Sequence, residues 1–444
     1  MKILFIKPTI GTKSHSLYVD EGRMEPLMLA ILAALTPDDV EVELYDDRME
    51  DIPYDIECDL VAITVETYTA RRAYEIAAEF RKRGILVIMG GIHVALLPHE
   101  VEQYCDSILI GDAETIWKDV ISDTKRGKLK KVYKASPGVA QIGGIKPRRE
   151  IYEGKDYLPV SLMQFSRGCK YECSFCAVST YFEKKHYIRR IDEVHEEIES
   201  NKSRFIFFVD DNIASHQQSL QELCRELIPQ KINWISQASI DITHNPTTMK
   251  LMADSGCIGN VIGFESITPS NLRDAKKNFN LKNFTNYSYE IGVLREHAMQ
   301  TWAAFTLGYD GDTEESIKAT MNFAIKNRFT FAAFNILMPY PGTPMFNELK
   351  AQNRLLYGEQ WWLHSDYRFN HAAFTPKNFT PDALTTACNE ARTKFNSIPS
   401  LLYRFSDIKT NLKTIWRAAS YWKYATLFRK EVHKKHGMKF GYKR

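Results

Sequence analysis

Two successive alternations of short apolar runs and helix-spaced segments constrain this chain more than any other feature. In the first, the runs are ILFI (3–6), VEVELY (40–45), LVAITV (60–65), ILVIMGG (85–91) and SILIGD (107–112). Between them lie segments such as TARRAYEIAAEFRKRG (69–84), in which Ala73, Ile76, Ala77 and Phe80 recur at the three-to-four spacing of one buried helix face. Strand runs bounded by Gly, Pro and Asp and separated by helices argue for a doubly wound parallel sheet. Such sheets bind ligands beyond the carboxyl ends of their strands. The loops leaving those ends are VETYT (65–69), GGIHVALLP (90–98) and GDAE (111–114).

The second alternation has strand runs at SLMQF (161–165), FIFFVDD (205–211), NWISQAS (233–239), NVIGFES (260–266), TWAAFTLGY (301–309) and FAAFNILMPY (331–340). Helical patterns such as VHEEIES, LQELCREL, TTMKLMADSG and ESIKATMNFAIKN separate them. Six β/α units suit an open partial barrel, again with the functional loops at the carboxyl ends. Residues 134–157 lose periodicity and gain Gly, Pro and charge, as an interdomain linker does. The expected α/β organisation is a Rossmann-like doubly wound domain over 1–135, a linker over 136–157, a (β/α)6 partial barrel over 158–350 and a helical C-terminal extension over 351–444. A length of 444 residues accords with more than one core.

The longest apolar run near the N-terminus, ILFI, is too short for a signal peptide, and no run approaches the ~18 apolar residues of a membrane span. A cytoplasmic chain with reduced thiols is expected. The net charge of +3 conceals an asymmetry: from Leu401 to Arg444 twelve Lys/Arg face two acids, a surplus of +10, so the rest carries −7. That tail interleaves Trp416, Trp422, Tyr424 and Phe428 with its basic residues. Three readings suit it: docking on its own domain or in an oligomer, peripheral contact with an anionic membrane, or nucleic-acid binding, which is the least expected.

Three of the eight cysteines, Cys169, Cys173 and Cys176, fall within RGCKYECSFCAVS (167–179) at C-x₃-C-x₂-C spacing, just after a strand. In a reduced compartment such clustering points to metal or catalysis. Soft thiolates select zinc, copper(I) or iron–sulfur clusters. A structural zinc needs a fourth ligand, and the nearest other cysteines, Cys105 and Cys224, are distant in sequence. Three thiolates on a [4Fe–4S] cluster leave one iron open, which suits a reactive site better than a sealed one.

The stretch CKYECSFC, with the aromatic Phe175 before the last cysteine, resembles the cluster motif of the radical S-adenosylmethionine (SAM) enzymes. FFVDDN (207–212), IGFES (262–266), GYDGDT (308–313) and PYPGTPM (339–345) fall where that superfamily's strand-end motifs fall. RMEPLMLAILAALTP (23–37), MGGIHVALLP (89–98) and IGDAE (110–114) look like the cobalamin-binding domain fused to one large subgroup. The resemblance covers about residues 1 to 350 and implies three cofactors: a [4Fe–4S] cluster on Cys169, Cys173 and Cys176, SAM chelated at the open iron, and cobalamin. It also implies reductive cleavage of SAM to a 5′-deoxyadenosyl radical by an external one-electron donor such as flavodoxin or ferredoxin. In the cobalamin-dependent subgroup a methyl group commonly follows, here onto an unactivated carbon of a small-molecule or lipid substrate.

By the same resemblance, Phe175, Asp210, Asp211, Asn212 and Glu265 would line the SAM pocket. Gln237 and Ser239, polar interruptions on one side of the third strand, would line it or cap the barrel, and Arg189 or Arg190 would offer the SAM carboxylate a bidentate partner. Thr64, Glu66, Thr67, Gly90, Gly91, His93, Gly111 and Glu114 would contact cobalamin. Each has a plainer counterpart: a helix cap at 210–212, a structural ion pair at Glu265, a solvated arginine at 190, tight turns at the glycines. The polar run 210–212 after FIFFV is expected to leave the core. Many cobalamin domains carry Asp-x-His-x-x-Gly, but this sequence reads YDDRMED (45–51) after its second strand, without the histidine, so cobalamin would bind with its lower face open or bearing water. Methylthiotransferases need three further N-terminal cysteines, and residues 1–160 hold only Cys58 and Cys105. The alternatives are a radical cyclase, dehydratase or rearrangement without methyl transfer, and a non-catalytic cobalamin or redox sensor.

Overall fold

The computed structural model describes residues 1–12, 23–135, 143–201, 203–282, 284 and 287–441. It divides into two compact units. One comprises Met1–Leu158 with Tyr357–Phe369 and Gly437–Arg444; the other comprises Pro159–Leu356 with Asn370–His436.

The strands of the first unit are β1 (Lys2–Lys7), β2 (Gly11–Thr12), β3 (Glu41–Asp46), β4 (Leu60–Thr64), β5 (Leu86–Gly90), β6 (Ser107–Ile110) and β7 (Val132–Lys134). Six of them form a parallel sheet in the order β3-β1-β4-β5-β6-β7. The chain steps outward from β1 to β3 and then crosses back to β4, so the topological switch lies between β1 and β4, where open α/β sheets bind ligands. Burial on both faces explains the unbroken apolar strands: all five residues of β4 are buried. The helix Ala70–Arg81 buries Ala73, Ile76, Ala77 and Phe80, the stripe its spacing predicts.

Residues 136–142 of the expected linker lie outside the described residues. Residues 143–157 pack within the first unit: Tyr152 is buried in its core, and the Tyr157 hydroxyl donates to Asp46 at 2.9 Å. Two aromatic anchors do here what periodicity does elsewhere. The expected helical extension also contributes to this unit. Trp361, Trp362 and Tyr367 are buried in it, and β16 (Lys439–Phe440) pairs antiparallel with β2.

In the second unit the strands are β8 (Ser161–Met163), β9 (Ser166–Gly168), β10 (His186–Ile188), β11 (Phe205–Phe208), β12 (Asn233–Ala238), β13 (Cys257–Glu265), β14 (Gln300–Leu307) and β15 (Phe331–Ile336). Six make a parallel sheet in sequential order, β8-β11-β12-β13-β14-β15, the arrangement of a (β/α)6 partial barrel. The other two, β9 and β10, pair antiparallel and enclose the cysteine loop between them. Sequence reading gave SLMQF as one strand; the sheet strand instead ends at Met163, and the chain turns into β9. The helices Pro381–Phe395, Ile398–Phe405 and Ile415–Lys435 complete the unit, the first covering β15. Among the described residues no helix is long and apolar enough to cross a membrane.

Candidate functional site

The cysteine loop is fixed from several directions. Gly168, the last residue of β9, has φ +83°, and a Cβ there would collide with the Lys185 carbonyl, so only glycine lets β10 close against the loop's entrance. Within the loop the Cys176 amide donates to the Cys173 carbonyl at 3.1 Å. The Ser174 amide donates to the Ala275 carbonyl, and the Ser174 carbonyl accepts from the Met345 amide, both at 3.0 Å. Met345 ends the PYPGTPM stretch, so that stretch supports the loop. Phe175 is half-buried against the unit's core. Tyr171 stacks on Phe279 at 3.8 Å and donates its hydroxyl to Asp241 at 2.6 Å.

Asp210 and Asp211 also hold this loop. Asp210 is buried and accepts from the Phe165 and Ser166 amides and the Ser166 hydroxyl. Burial pushes its carboxyl up to about 7 against those donors. Asp211 accepts from the Gly168 amide at 2.7 Å. The expected departure of residues 210–212 from the core is corrected here for Asp210 and Asn212, which are both buried. The hairpin supplies the hydrogen-bond donors that let polar groups stay inside.

Asn212 stands at the junction. Its Nδ2 donates to Cys169 Sγ at 3.6 Å and to Ser239 Oγ at 3.1 Å, while its Oδ1 accepts from the Ala214 and Ser239 amides. It is both a cap and a thiol neighbour. Gln237, on β12, is half-buried, and its side chain makes no hydrogen bond among the described residues.

Glu265 ends β13 with φ +60°, a left-handed conformation that is unfavourable for a side chain of this size. The surroundings hold it there: Oε1 accepts from Lys277 Nζ at 2.6 Å and Oε2 from Thr306 Oγ1 at 2.6 Å. Gly263 leaves the room, since a Cβ there would overlap both Glu265 Oε1 and Lys277 Nζ. Lys277 is buried. Burial alone would lower its affinity for a proton, but the Glu265 carboxylate and the Cys173 thiol raise it above the ordinary lysine range. Close by, the Tyr309 hydroxyl is buried with no hydrogen-bond partner among the described residues, within the electrostatic reach of Glu265 and Cys173. Sequence reading missed Lys277, Thr306, Tyr309 and Tyr171. The lysine pair KK (276–277) reads as solvated, and a tyrosine after a strand reads as core.

Arg190 stands apart, with a side chain 73% exposed and paired with Asp192. Arg189, its neighbour in the sequence, is buried and binds Glu197.

The thiols themselves are poised for a soft metal. Burial pushes Cys173 up to about 12 against the pull of Lys277, and burial also raises Cys176 despite the hydrogen bonds offered by Ser179. Burial thus favours the proton on Cys173 and Cys176, and a metal binding there must displace it. Among the described residues, no three Cys, His, Asp or Glu side chains converge as one ion requires. With Zn–S near 2.3 Å, that would bring the sulfurs within ~4 Å of one another. A polynuclear cluster takes each thiolate on a different iron and asks for a wider spread. The three-thiol donor set, with the buried Tyr309 hydroxyl and the Glu265–Lys277 pair close by, fits a cluster with a polar ligand beside it.

In the first unit the named residues line the carboxyl edge of the sheet. Thr64 ends β4, and Glu66, about half exposed, pairs with Lys7 at 2.5 Å across the β1/β4 switch. Thr67 and His93 are buried together: Thr67 Oγ1 lies 3.2 Å from His93 Nδ1, and Glu100 Oε1 lies 3.2 Å from Nε2. Glu100 also accepts from the Tyr74 hydroxyl and the Trp362 indole. With both ring nitrogens engaged, His93 positions the loop and does not present an imidazole at the rim. Gly90 ends β5; Gly91 has φ +113°, and a Cβ there would stand 2.7 Å from the Val65 carbonyl oxygen, so the turn requires it. Gly111 and Glu114 follow β6, the latter in the short 3₁₀ turn Ala113–Thr115. The YDDRMED carboxylates are occupied, Asp46 by Arg48 and Asp47 by Arg72. The rim therefore offers backbone groups and polar side chains, and the His93 imidazole, held at both ring nitrogens, is not among them.

The family model of the Radical SAM superfamily matches residues 163–324. The chain is 32% identical over 397 residues to the bacteriochlorophyllide d C-12(1)-methyltransferase of Chlorobaculum tepidum, across 86% of this chain and 84% of that one. It resembles in fold the radical SAM methyltransferase TsrM from Kitasatospora setae, solved with cobalamin and a [4Fe-4S] cluster (TM-score 0.62, 19% identity, 79% of this chain and 75% of that one). It also resembles the cobalamin-dependent S-adenosylmethionine radical enzyme OxsB (TM-score 0.64, 13% identity, 97% of this chain and 71% of that one).

Proposed function

The chain belongs to the radical SAM superfamily, and from that premise we propose that it is a cobalamin-dependent C-methyltransferase acting on an unactivated carbon of a small-molecule or lipid substrate. The observation that carries the reading is the meeting, at the carboxyl ends of β11 to β14, of the cysteine loop with Asn212–Ser239 and Glu265–Lys277. When bound, the cluster supplies the electron that cleaves SAM and cobalamin the methyl group to be transferred.

The chain's own residues bind, orient and exclude water. Cys169, Cys173 and Cys176 would hold the cluster as thiolates. Asn212 restrains Cys169 through its amide. Gln237, Ser239, Glu265 and Tyr309 offer polar groups to SAM, with Glu265 fixed in place by Lys277 and Thr306. Asp210 and Asp211 support the hairpin around the loop. In the first unit Thr64, Glu66, Thr67, Gly90, Gly91, Gly111 and Glu114 form the rim for cobalamin, with His93 behind them. An external one-electron donor, such as flavodoxin or ferredoxin, completes the reaction.

Anaerobic reconstitution with iron, sulfide and hydroxocobalamin, followed by mass analysis of SAM products under reduction, tests this. Both 5′-deoxyadenosine and S-adenosylhomocysteine are expected. Cys176→Ala loses bound iron and reductive cleavage together; full cleavage by that variant overturns the cluster assignment. Formation of 5′-deoxyadenosine alone, with the cognate substrate present, overturns methyl transfer in favour of a cyclase, dehydratase or rearrangement.

A further inference from the structure

The second unit carries a surface that the chemistry of the site does not use. Among the described residues, thirteen large hydrophobic side chains are exposed, and eight of them fall between residues 398 and 422: Ile398, Leu402, Tyr403, Ile408, Leu412, Ile415, Trp416 and Trp422. They lie on the helix Ile398–Phe405, the turn after it and the start of the helix Ile415–Lys435. Ile415 is 92% exposed and Ile408 73%, values unusual for isoleucine on a folded chain. The two helices are held together beneath this surface: the Tyr421 hydroxyl donates to the Leu401 carbonyl at 2.9 Å, and Trp422 packs on Phe405 at 5.5 Å. Trp416 rests against Phe205 at 6.0 Å. Each indole thus has a packed side and an open side.

Within residues 398–430 the exposed charge has one sign. Lys409, Lys413, Lys423 and Lys430 are exposed and make no ion pair among the described residues. The segment's only carboxylate up to Lys430, Asp407, is buried, where it binds Arg295 at 2.9 Å and accepts from Thr410 Oγ1 at 3.0 Å. The next acid, Glu431, is buried as well. Outward-facing aliphatic and indole groups among unpaired lysines are the composition of a surface that lies on anionic lipid. The apolar groups enter the headgroup boundary, and the ammonium groups stay at the phosphate level.

A second copy of the chain is a poorer partner. A twofold contact would set this patch on itself and bring lysines against lysines with no acid between them.

We propose that the surface formed by residues 398–430 docks the protein on an anionic lipid bilayer. Docking is peripheral, since no described helix can span a membrane. The proposal is independent of the cofactor assignments, because neither its residues nor its readout involves the cysteine loop or the sheet edges.

The test is sedimentation of the full-length protein with phosphatidylcholine vesicles and with vesicles containing one quarter phosphatidylglycerol, at low and high salt. Binding is expected only to the phosphatidylglycerol vesicles and only at low salt. The combined change Lys409→Gln, Lys413→Gln, Lys423→Gln and Lys430→Gln lowers partitioning by about tenfold or more, as expected for several juxtamembrane lysines. Ile408→Ser with Ile415→Ser weakens binding at unchanged charge. Both side chains are too exposed to matter for folding, which an unaltered melting temperature checks. Three outcomes overturn the proposal: no sedimentation with phosphatidylglycerol vesicles at low salt, equal binding by wild type and both variants, or a concentration-dependent dimer that Ile408→Ser with Ile415→Ser dissociates without any vesicle binding.

Discussion

Lys277 shows how one side chain can organise a polar site. It is buried, it neutralises Glu265 at 2.6 Å, and it moderates the raised pKa of Cys173. Removing one partner of a buried ion pair leaves an uncompensated charge, which typically costs about 3–5 kcal/mol. Lys277→Met is therefore expected to destabilise the protein by about that amount in urea unfolding. Lys277→Met combined with Glu265→Met should recover part of the loss, giving a favourable coupling in the double-mutant cycle. Additive losses would show that the pair acts independently. Glu265 was legible as a site residue because it closes an apolar run. Lys277 was not, because twelve residues and a helical turn separate it from its partner and nothing in KKNFN departs from an exposed loop.

At the scale of elements, the β9–β10 pair sets the entrance of the cysteine loop. Its strands have three residues each, too few for alternation to be read from KKHYIRR, whereas the barrel strands β12 to β15, of six to nine residues, were readable. His186, on β10 opposite Gly168, is largely buried. Its proton affinity falls from the ordinary 6.5 to about 4, through burial first and then the charges of His216 and Lys170. Between those values the unfolded chain binds more protons than the folded one, so stability rises with pH there. The contribution is full above about 6.5 and is lost as pH falls toward 4. His186→Phe should flatten the acid side of a plot of urea midpoint against pH, leaving the midpoint near neutrality little changed. An unchanged acid slope would place the titration elsewhere.

On the scale of the whole molecule, both units recruit residues from distant parts of the chain. Tyr68 in the first unit is surrounded by Trp361, Phe369 and Phe440, at ring separations of 5.1, 5.4 and 5.8 Å, and Phe440 also meets Tyr367 at 5.1 Å. Large-to-small changes at buried aromatics cost about 3–5 kcal/mol. Phe440→Ala is expected to lower the thermal stability of the first unit, read by limited proteolysis within residues 1–135 on heating, while cleavage in the barrel follows wild type. The order of the principal strands, the doubly wound sheet, the sequential barrel and the place of the three cysteines were determined by the sequence alone. Each rests on a pattern of hydrophobicity or spacing within a window of some ten to fifteen residues, and such patterns are local. Only the tertiary structure decided the return of residues 357–369 and 437–441 to the first unit, the inward turn of Asp210 and Asn212, and the pairing of Glu265 with Lys277 and Thr306. A buried polar group is set by whichever donor or acceptor the fold brings to it, across tens or hundreds of residues, and no periodicity records that partner in advance.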